Sequence, residues 1–510
     1  MTGSDWPTRD LLSHQAATTP DATAVVDAES DTAWTYDEFD RRVDDCAKRL
    51  ACIVSGSEDR LGVLVDTRVA FADLYVAAMR LGVTVVPLNV RETVDELRPK
   101  IQRTSLDAIV CAAETESTAV EAADCPVVCV DTPERDGVSS LRAIAGETVA
   151  PARLDRDRTH LLMFTSGSAG EPKAVRLTLG NLRASATASA FRLGVDPDDR
   201  WLCCLPTYHM GGLAPIVRSM RYGTAVVIQS EFDPTATARA IDEHGITGIS
   251  LVPTMLTRLL DSGWTPPESL RFVLLGGAPA SRDLIERCRD RGVPVHPTYG
   301  MTETASQIAT ARPDDAFSYP GTVGQPLSCT DVSIVDDDGT PVDPGERGEL
   351  VVSGPTVTPG YLDADRTEAA FGDRGFHTGD VGYRDEGGRL WVTGRVGDRI
   401  VTGGENVDPG AVVDVLRRHP GVADAAVVGL DDPEWGQRVS ALVVPAVDGD
   451  HNEPALDLDS LLAHCNDRLA GFKRPKTIAI ADAVPRTASG TVDREVARER
   501  LRDDGVDVTD

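Results

Sequence analysis

Residues 162–173, LMFTSGSAGEPK, decide the fold: an apolar run passes into hydroxyl and glycine residues and ends in a lysine. The apolar run predicts a buried strand, because parallel strands covered on both faces are almost continuously apolar. The small residues after it let backbone N–H groups approach a phosphate, while hydroxyls and a lysine add donors and charge. We therefore predict a phosphate-binding loop formed by Thr165, Ser166, Gly167, Ser168, Gly170 and Lys173.

This loop differs from two other phosphate-binding motifs. The chain contains no G-x-x-x-x-G-K-[ST] and no G-x-G, so it has neither a Walker A loop nor a Rossmann fingerprint. Taken alone, the segment has a structural alternative, a surface loop rich in glycine and serine.

A second polar segment, PTYGMTETASQ at residues 297–307, follows a predicted strand at Val293–His296. It contains a ring that can stack on a base, a hydroxyl that can donate to a phosphate and a carboxylate suited to Mg²⁺. These candidates are Tyr299, Thr302 and Glu303, with Glu303 as the metal ligand. For the last two residues, Ser306 and Gln307, the alternative is helix capping after a loop.

A third pair of segments is GFHTGD at residues 375–380 and GRVGD at residues 394–398. Asp380 and Arg395 lie fifteen residues apart and could hold a ribose diol from two sides. The structural alternative for Asp380 is a helix cap or an Asx-turn.

Apolar β-branched runs alternate with amphipathic segments such as Tyr36–Leu50 and Pro234–Glu243. This alternation predicts an α/β fold with a large N-terminal domain of doubly wound, mostly parallel sheets. From about Ser318, frequent Gly, Pro and Asp predict a β-rich subdomain of antiparallel ribbons. The predicted parallel strands are Leu61–Val65, Thr84–Pro87, Ala108–Cys111, Val127–Val130, Leu161–Thr165, Ala225–Ile228, Ile249–Val252 and Phe272–Leu275.

After Gly397 the pattern predicts a small, mobile C-terminal α/β domain with a helix at Pro409–Arg418. We therefore expect an N-terminal domain at residues 1–396 and a C-terminal domain at residues 397–510. The hinge between them is expected near Gly397, because glycine permits wide changes in φ and ψ.

The 510-residue chain has 81 acidic and 51 basic side chains, a formal net charge of −30. This balance argues against nucleic acid or an anionic membrane surface as a partner, since both require clustered positive charge. The charge has two interpretations, a well-solvated surface and adaptation to a salty cytoplasm, where ions screen self-repulsion. The presence of only five lysines favours the second, halophilic interpretation.

The N-terminus lacks the basic-then-apolar order of a signal peptide. The longest uncharged run, Trp201–Val217, is shorter than a bilayer span of about 20 residues. The ten cysteines include no C-x-x-C and are expected to be reduced thiols packed in the core. These observations predict a cytoplasmic protein without a membrane span.

Together and in this order, the three motifs resemble the adenylate-forming superfamily of acyl-CoA synthetases, luciferases and peptide-synthetase adenylation domains. The resemblance extends from about Trp34 to Arg494. It implies that residues 165–173 close over the ATP phosphates and that Thr302 and Glu303 contact the α-phosphate and Mg²⁺. It assigns adenine to Gly276, Gly277, Ala278, Pro279 and Tyr299, and places Gly300 among the other cofactor-binding residues. It assigns the ribose and hinge region to Asp380 and Arg395, and the border of the pantetheine tunnel of coenzyme A to Gly403, Gly404, Glu405 and Asn406.

Within the superfamily, three segments resemble the 2-succinylbenzoate–CoA ligases of menaquinone synthesis, and one of them is TETASQ at residues 302–307. PTYHMGGL at residues 206–213 and RSMRYG at residues 218–223 look like the entrance of their acyl pocket. This likeness implies that His209 lies near the acyl carbonyl; the alternative is a hydrogen-bonded core histidine. A dianionic substrate also requires a cation, for which Arg218 and Arg221 are unranked candidates.

Two positions depart from the family pattern. One is Gly397, two residues after Arg395, where the family often has an acidic or basic residue. The other lies near the C-terminus. The family carries a lysine near its C-terminus that bridges the carboxylate and the α-phosphate, and Thr491 stands at that position here. A hydroxyl cannot supply the charge. Three accounts remain: another cation substitutes, adenylation is slow while thioester formation is intact, or the protein binds adenylates without forming them. The nearest cations in the sequence are Lys473, Lys476 and Arg494.

The resemblance implies an ATP- and Mg²⁺-dependent ligase that joins a small carboxylic acid to coenzyme A, most specifically 2-succinylbenzoate. The alternatives are a medium-chain or aryl acyl-CoA synthetase and an adenylate-binding protein impaired in adenylation. No nucleic acid partner is expected, and the sequence leaves a homo-oligomer open.

Overall fold

The computed structural model describes residues 9–54, 56, 58–165, 172–398, 400–402, 405–433, 435–446, 456–486 and 492–508, with only the backbone of Asn406. The chain divides into two units. The first contains Met1–Val332 and Val352–Phe376, and the second contains Ser333–Val351 and His377–Asp510.

A nine-stranded sheet in the first unit carries the second motif. Its strands are parallel except at the two ends, where hairpins add antiparallel strands. Their spatial order is Gln325–Pro326, Ser306–Thr310, Val295–Met301, Phe272–Leu275, Gly248–Leu251, Arg200–Cys203, Ala225–Ile228, Thr23–Asp27 and Thr32–Thr35.

A seven-stranded sheet in the same unit carries the first motif. It is parallel apart from its last pair. Its order is Ser139–Ser140, Val127–Cys129, Ala108–Cys111, Arg60–Leu64, Thr84–Pro87, Thr159–Thr165 and Lys173–Thr178. The central strands are buried along their whole length, as their apolar sequences predict.

The helices of the first unit cover these sheets. They are Leu11–Thr18, Tyr36–Leu50, Val69–Leu81, Val94–Thr104, Glu116–Ala122, Leu179–Leu193, Met210–Tyr222, Pro234–Glu243, Pro253–Asp261, Arg282–Asp290, Pro313–Ser318 and Ala364–Ala370, with short 3₁₀ turns at Ala113–Thr115, Leu141–Ala143 and Thr302–Thr304. The α/β class and the mostly parallel sheets confirm the predicted fold.

Later strands form two further sheets. One contains Asp331–Val335, Gly348–Ser353, Gly375–Arg384, Phe371–Gly372 and Leu390–Arg395. The other contains Glu405–Val407, Ile400–Thr402, Gly436–Pro445, Val422–Asp432, Thr477–Ile480 and Val506–Asp507. The second unit also has the helices Pro409–Leu416, Leu458–Arg468 and Arg494–Asp504, and 3₁₀ turns at Val396–Asp398 and Gly471–Lys473.

The structure corrects the local prediction for the second motif. The strand predicted at Val293–His296 runs instead over Val295–Met301, so Tyr299 and Gly300 lie in a strand and not in a loop. Ser306 and Gln307 begin the antiparallel strand Ser306–Thr310, so neither caps a helix. The reason is tertiary: pairing with a strand only a few residues later extends the ladder into the polar segment.

All ten cysteines are free thiols, and seven of them are buried. None of the helices in the described ranges has both the length and the hydropathy that a bilayer span requires.

Candidate functional site

The predicted phosphate-binding loop is flanked by two paired residues. Strands Thr159–Thr165 and Lys173–Thr178 are antiparallel, and Thr165 is the register partner of Lys173. The predicted loop residues between them, Ser166, Gly167, Ser168 and Gly170, lie outside the described residues. The described part therefore places the two anchors of the loop side by side at the edge of the seven-stranded sheet.

Lys173 and Glu303 approach the same tyrosine. The Lys173 Nζ lies 5.2 Å from the centre of the Tyr361 ring, and the Tyr361 hydroxyl donates a hydrogen bond of 2.9 Å to Glu303 Oε1. Burial, followed by the charge of Glu303, raises the pKa of the Tyr361 phenol, so the hydroxyl keeps its proton and acts as the donor. The first two motifs thus meet in one place, although they occupy different sheets.

Thr302 and Glu303 lie in a 3₁₀ turn between two antiparallel strands, and Glu303 is 8% exposed. The turn is tight: Ala305 and Ser306 have φ values of 51° and 119°, in the left-handed region. Such residues cost about 1–3 kcal/mol each and persist where surrounding contacts impose them. Gly300 permits this geometry, because a Cβ there would lie 1.7 Å from the Ser306 carbonyl oxygen.

The predicted adenine residues come together at the carboxyl ends of two neighbouring strands. Gly276 follows Phe272–Leu275, and a Cβ at Gly276 would lie 2.8 Å from the Thr298 methyl group. Gly277 has a φ of 80°, which turns the chain into Ala278 and Pro279. Tyr299 is half-buried one residue beyond Thr298. The site therefore lies where ligands bind in parallel α/β sheets.

His209 is the N-cap residue of helix Met210–Tyr222 and is exposed. Its ring contacts the ring of Tyr208 edge-on, with centroids 4.8 Å apart. Partial desolvation by the surrounding protein, followed by the charges of Lys100 and Arg91, lowers the pKa of the imidazole. Its exposure disfavours the core-histidine alternative, and the lowered pKa keeps it neutral at pH 7.

The structure ranks the two arginines of the same helix. Arg218 is 2% exposed, and its Nη2 donates a hydrogen bond of 3.2 Å to Ser306 Oγ. Its guanidinium carbon lies 5.2 Å from the centre of the Trp201 ring. No carboxylate in the described ranges forms an ion pair with it, and burial lowers its pKa. Arg221 is only half-buried.

In the second unit, Asp380 and Arg395 are cross-strand partners in strands Gly375–Arg384 and Leu390–Arg395. The Arg395 Nε donates a hydrogen bond of 2.9 Å to Asp380 Oδ1, and Asp380 is buried. The position of Asp380 within a strand argues against the helix-cap and Asx-turn alternatives. The two side chains are hydrogen-bonded to each other, so a ribose would meet them as a pair and not as two separate groups.

The remaining predicted residues belong to the second unit. Glu405 and Asn406 lie in the short strand Glu405–Val407. Gly397 lies in the 3₁₀ turn Val396–Asp398, where a Cβ would meet no atom within 4 Å. Gly403, Gly404 and Thr491 lie outside the described residues.

The three candidate substitutes for the missing lysine have different surroundings. Arg494 Nη2 lies 2.6 Å from Asp398 Oδ2. Lys476 Nζ is 3.7 Å from the centre of the Trp435 ring, and Lys473 Nζ is 5.5 Å from that of Phe472.

The donor set fits Mg²⁺ bound together with ATP better than Mg²⁺ bound alone. Within the described ranges, no group of three or more His, Cys, Asp or Glu side chains is arranged to hold a metal. Mg²⁺ is usually held by one or two carboxylates and by substrate phosphates. Glu303, a buried carboxylate close to an anchor of the phosphate-binding loop, matches that pattern.

Sequence reasoning missed Tyr361. It follows Gly360 in a polar stretch rich in proline and glycine, where a lone tyrosine gives no local signal of a partner 58 residues away. The structural sign of its role is its burial, because Tyr361 is only 3% exposed although it lies in such a stretch.

Comparison with known proteins shows the family of the chain. The AMP-binding enzyme family matches residues 12–362, and the AMP-binding enzyme C-terminal domain matches residues 412–491. The 2-succinylbenzoate–CoA ligase of Bacillus pumilus is 36% identical over 496 residues, covering 97% of both chains. That of Bacillus velezensis is 38% identical over 452 residues, covering 87% of this chain and 88% of the relative.

Comparison with solved structures also finds enzymes of this kind. The o-succinylbenzoate CoA synthetase of Bacillus subtilis in complex with its acyl-adenylate intermediate has a TM-score of 0.83 and 34% identity, covering 96% of this chain and 98% of that one. The ATP-bound MatB of Rhodopseudomonas palustris has a TM-score of 0.85 at 28% identity, covering 97% and 99%. The chain therefore belongs to the AMP-binding enzyme family, the adenylate-forming superfamily that contains the 2-succinylbenzoate–CoA ligases.

Proposed function

We propose that this protein is an AMP-forming acid–CoA ligase that converts 2-succinylbenzoate, ATP and coenzyme A to 2-succinylbenzoyl-CoA, AMP and pyrophosphate in menaquinone biosynthesis. In the first half-reaction a substrate carboxylate attacks the α-phosphate and pyrophosphate leaves. In the second the thiol of coenzyme A attacks the acyl-adenylate, loses its proton and releases AMP. Because both reactions use ATP or its products and coenzyme A, we place the enzyme in the cytoplasm.

The buried guanidinium of Arg218 is the observation that carries the choice of substrate. A buried cation without a carboxylate partner in the described part of the chain is costly, since removing a charge from water is offset only by a counter-charge or good hydrogen bonds. 2-Succinylbenzoate has two carboxylates. One reacts with ATP, and the other would supply the counter-charge of Arg218. A monocarboxylic fatty acid would leave this cation unpaired.

The chain's own residues would act by positioning and electrostatic neutralisation, without a covalent enzyme nucleophile. Lys173, at the end of the phosphate-binding loop, would neutralise phosphate oxygens as the α-phosphate is attacked. Thr302 would donate its hydroxyl to the same phosphate, and neutral His209 would lie near the acyl carbonyl. Bound Mg²⁺, held at Glu303, would supply charge neutralisation for the departing pyrophosphate.

The second unit would complete the cycle. Asp380 and Arg395 would bind the ribose. Rotation about the region of Gly397, between domains at residues 1–396 and 397–510, would bring Gly403, Gly404, Glu405 and Asn406 to the pantetheine tunnel. These roles rest on the family resemblance and on the exposed surroundings of Gly397.

ATP–pyrophosphate exchange over a panel of carboxylic acids, performed in concentrated KCl, tests the proposal. The matched control for 2-succinylbenzoate is 4-oxo-4-phenylbutanoate, which lacks only the ring carboxylate. We expect exchange with the dicarboxylate and at least about tenfold weaker exchange with the control, as expected for one charge-assisted interaction. Equal exchange with medium-chain or other aryl acids would contradict the substrate, and exchange with none would contradict the activity.

A further inference from the structure

Tyr361 lies between the two charged groups that the proposed reaction needs. Its ring is 5.2 Å from Lys173 Nζ, and its hydroxyl donates to Glu303 Oε1 over 2.9 Å. No acidic side chain in the described ranges forms an ion pair with Lys173. The lysine and the glutamate are thus neighbours of opposite charge that are separated by one aromatic ring.

Backbone contacts hold Tyr361 in this place from both sides. It forms an isolated bridge with Val175, and the Leu362 N–H donates to the Ala174 carbonyl over 2.8 Å. On the other side, the Thr358 N–H donates to the Glu303 carbonyl over 2.7 Å. The segment at residues 358–362 therefore joins the strand that carries Lys173 to the turn that carries Glu303.

We infer that Tyr361 is a positioning residue that orients Glu303 toward Mg²⁺ and keeps Lys173 apart from it. The hydroxyl fixes one carboxylate oxygen, which limits the rotamers of Glu303. The ring gives the ammonium group an attractive surface that is not a carboxylate. Without this spacer, Lys173 and Glu303 would attract each other directly and neutralise the two charges that the phosphates and the metal require.

The inference rests on the proposed function, and Tyr361→Phe tests it. This variant keeps the ring and loses only the hydrogen bond to Glu303. Mutation of a residue that orients a metal ligand typically changes metal affinity or activity by about 10–100-fold. We expect the half-saturating Mg²⁺ concentration in ATP–pyrophosphate exchange to rise by about that factor, while the affinity for metal-free ATP stays unchanged. Tyr361→Leu, which also removes the ring, is expected to weaken ATP binding as well.

The second readout is binding of Mn²⁺ in the presence of ATP, measured by electron paramagnetic resonance, which does not require turnover. Tyr36→Phe is the matched control, because the buried Tyr36 hydroxyl donates to two backbone carbonyls, those of Ser219 and Thr224. It should lose stability without a change in metal dependence.

The inference would be overturned if Tyr361→Phe had the same Mn²⁺ affinity and the same Mg²⁺ dependence as the wild-type protein. Absence of exchange in the wild-type protein, with the Mn²⁺ difference still present, would instead overturn the proposed reaction.

Discussion

At the scale of single residues, substitution of Arg218 is expected to affect substrate binding and stability differently. Arg218→Met removes a buried charge that lacks a carboxylate partner among the described residues, so the folded protein should lose little stability or gain some. The same change should raise KM for 2-succinylbenzoate by about 10–100-fold, the value of one charge-assisted interaction. Exchange with 4-oxo-4-phenylbutanoate should not change.

Arg221→Met is the control, because Arg221 is half-buried on the same helix. An equal rise in KM for both acids, or for both variants, would show that Arg218 does not contact the ring carboxylate. Thermal unfolding of each variant separates loss of binding from loss of folding.

A buried histidine gives a pH dependence with a definite sign. Burial lowers the pKa of His160 to about 4, from 6.5, and its Nε2 has no hydrogen-bond partner among the residues that the structure describes. The unfolded chain therefore takes up the proton first as the pH falls. The stabilising contribution is complete above pH 6.5 and is lost as the pH falls toward 4.

For this one residue, the loss between pH 7.5 and 5 is about 2 kcal/mol. His160→Phe cannot be protonated, so its free energy of unfolding in urea should fall by about 2 kcal/mol less than that of the wild type over this interval. Parallel curves for the two proteins would show that His160 is protonated equally in both states.

At the scale of elements, the hairpin formed by Val295–Met301 and Ser306–Thr310 depends on Gly300. Gly300→Ala would place a methyl group 1.7 Å from the Ser306 carbonyl oxygen, so the strands must move apart. Ser306 accepts the hydrogen bond of Arg218, and Glu303 lies in the connecting turn. We therefore expect a loss of exchange activity larger than the loss of stability, measured by exchange and thermal unfolding. Gly471→Ala is the control for a general glycine effect, because its φ is not positive and a Cβ there would meet no atom within 4 Å.

Elements whose ends carry local signals were predictable from the sequence. Helix Tyr36–Leu50 starts at a capping box between Thr35 and Glu38, and helix Pro234–Glu243 starts at Asp233 followed by a proline. Buried parallel strands were predictable within a residue or two because their apolar runs are continuous. These signals act over a few residues and need no information about the rest of the fold.

The hairpin of Val295–Met301 with Ser306–Thr310 and the position of Tyr361 were not predictable, because both depend on contacts with other parts of the fold. The polar residues Thr298–Met301 become a strand only because a partner strand lies beside them, and Tyr361 acquires its position through Val175 and Glu303. By resemblance, motif order predicts that Lys173, Thr302 and Glu303 share one site, but it could not supply Tyr361, the residue between Lys173 and Glu303.

At the scale of the whole molecule, the net charge of −30 predicts a dependence on salt. Self-repulsion destabilises a compact anionic protein, and the screening length falls from about 10 Å at 0.1 M salt to about 3 Å at 1 M. The midpoint of thermal unfolding should therefore rise with KCl into the molar range. Equal stability in dilute buffer would contradict a halophilic interpretation and favour a surface that is merely well solvated.

We expect Thr491 to affect only one of the two half-reactions, and this gives the last prediction. The chain has five lysines, and one of them, Lys173, lies at the end of the predicted phosphate-binding loop, whereas threonine stands where the family carries its C-terminal lysine. Thr491→Lys should raise the rate of adenylation by as much as about 10²–10³-fold, the usual value of one preorganised group that stabilises developing charge. Thioester formation from preformed acyl-adenylate should not change, because the family performs that step without this lysine.

The matched control is Thr491→Gln, which lengthens the side chain without adding charge. An increase of adenylation in both variants would indicate an effect of side-chain length, and an increase in neither would mean that another cation, such as Lys473, Lys476 or Arg494, already fills this role.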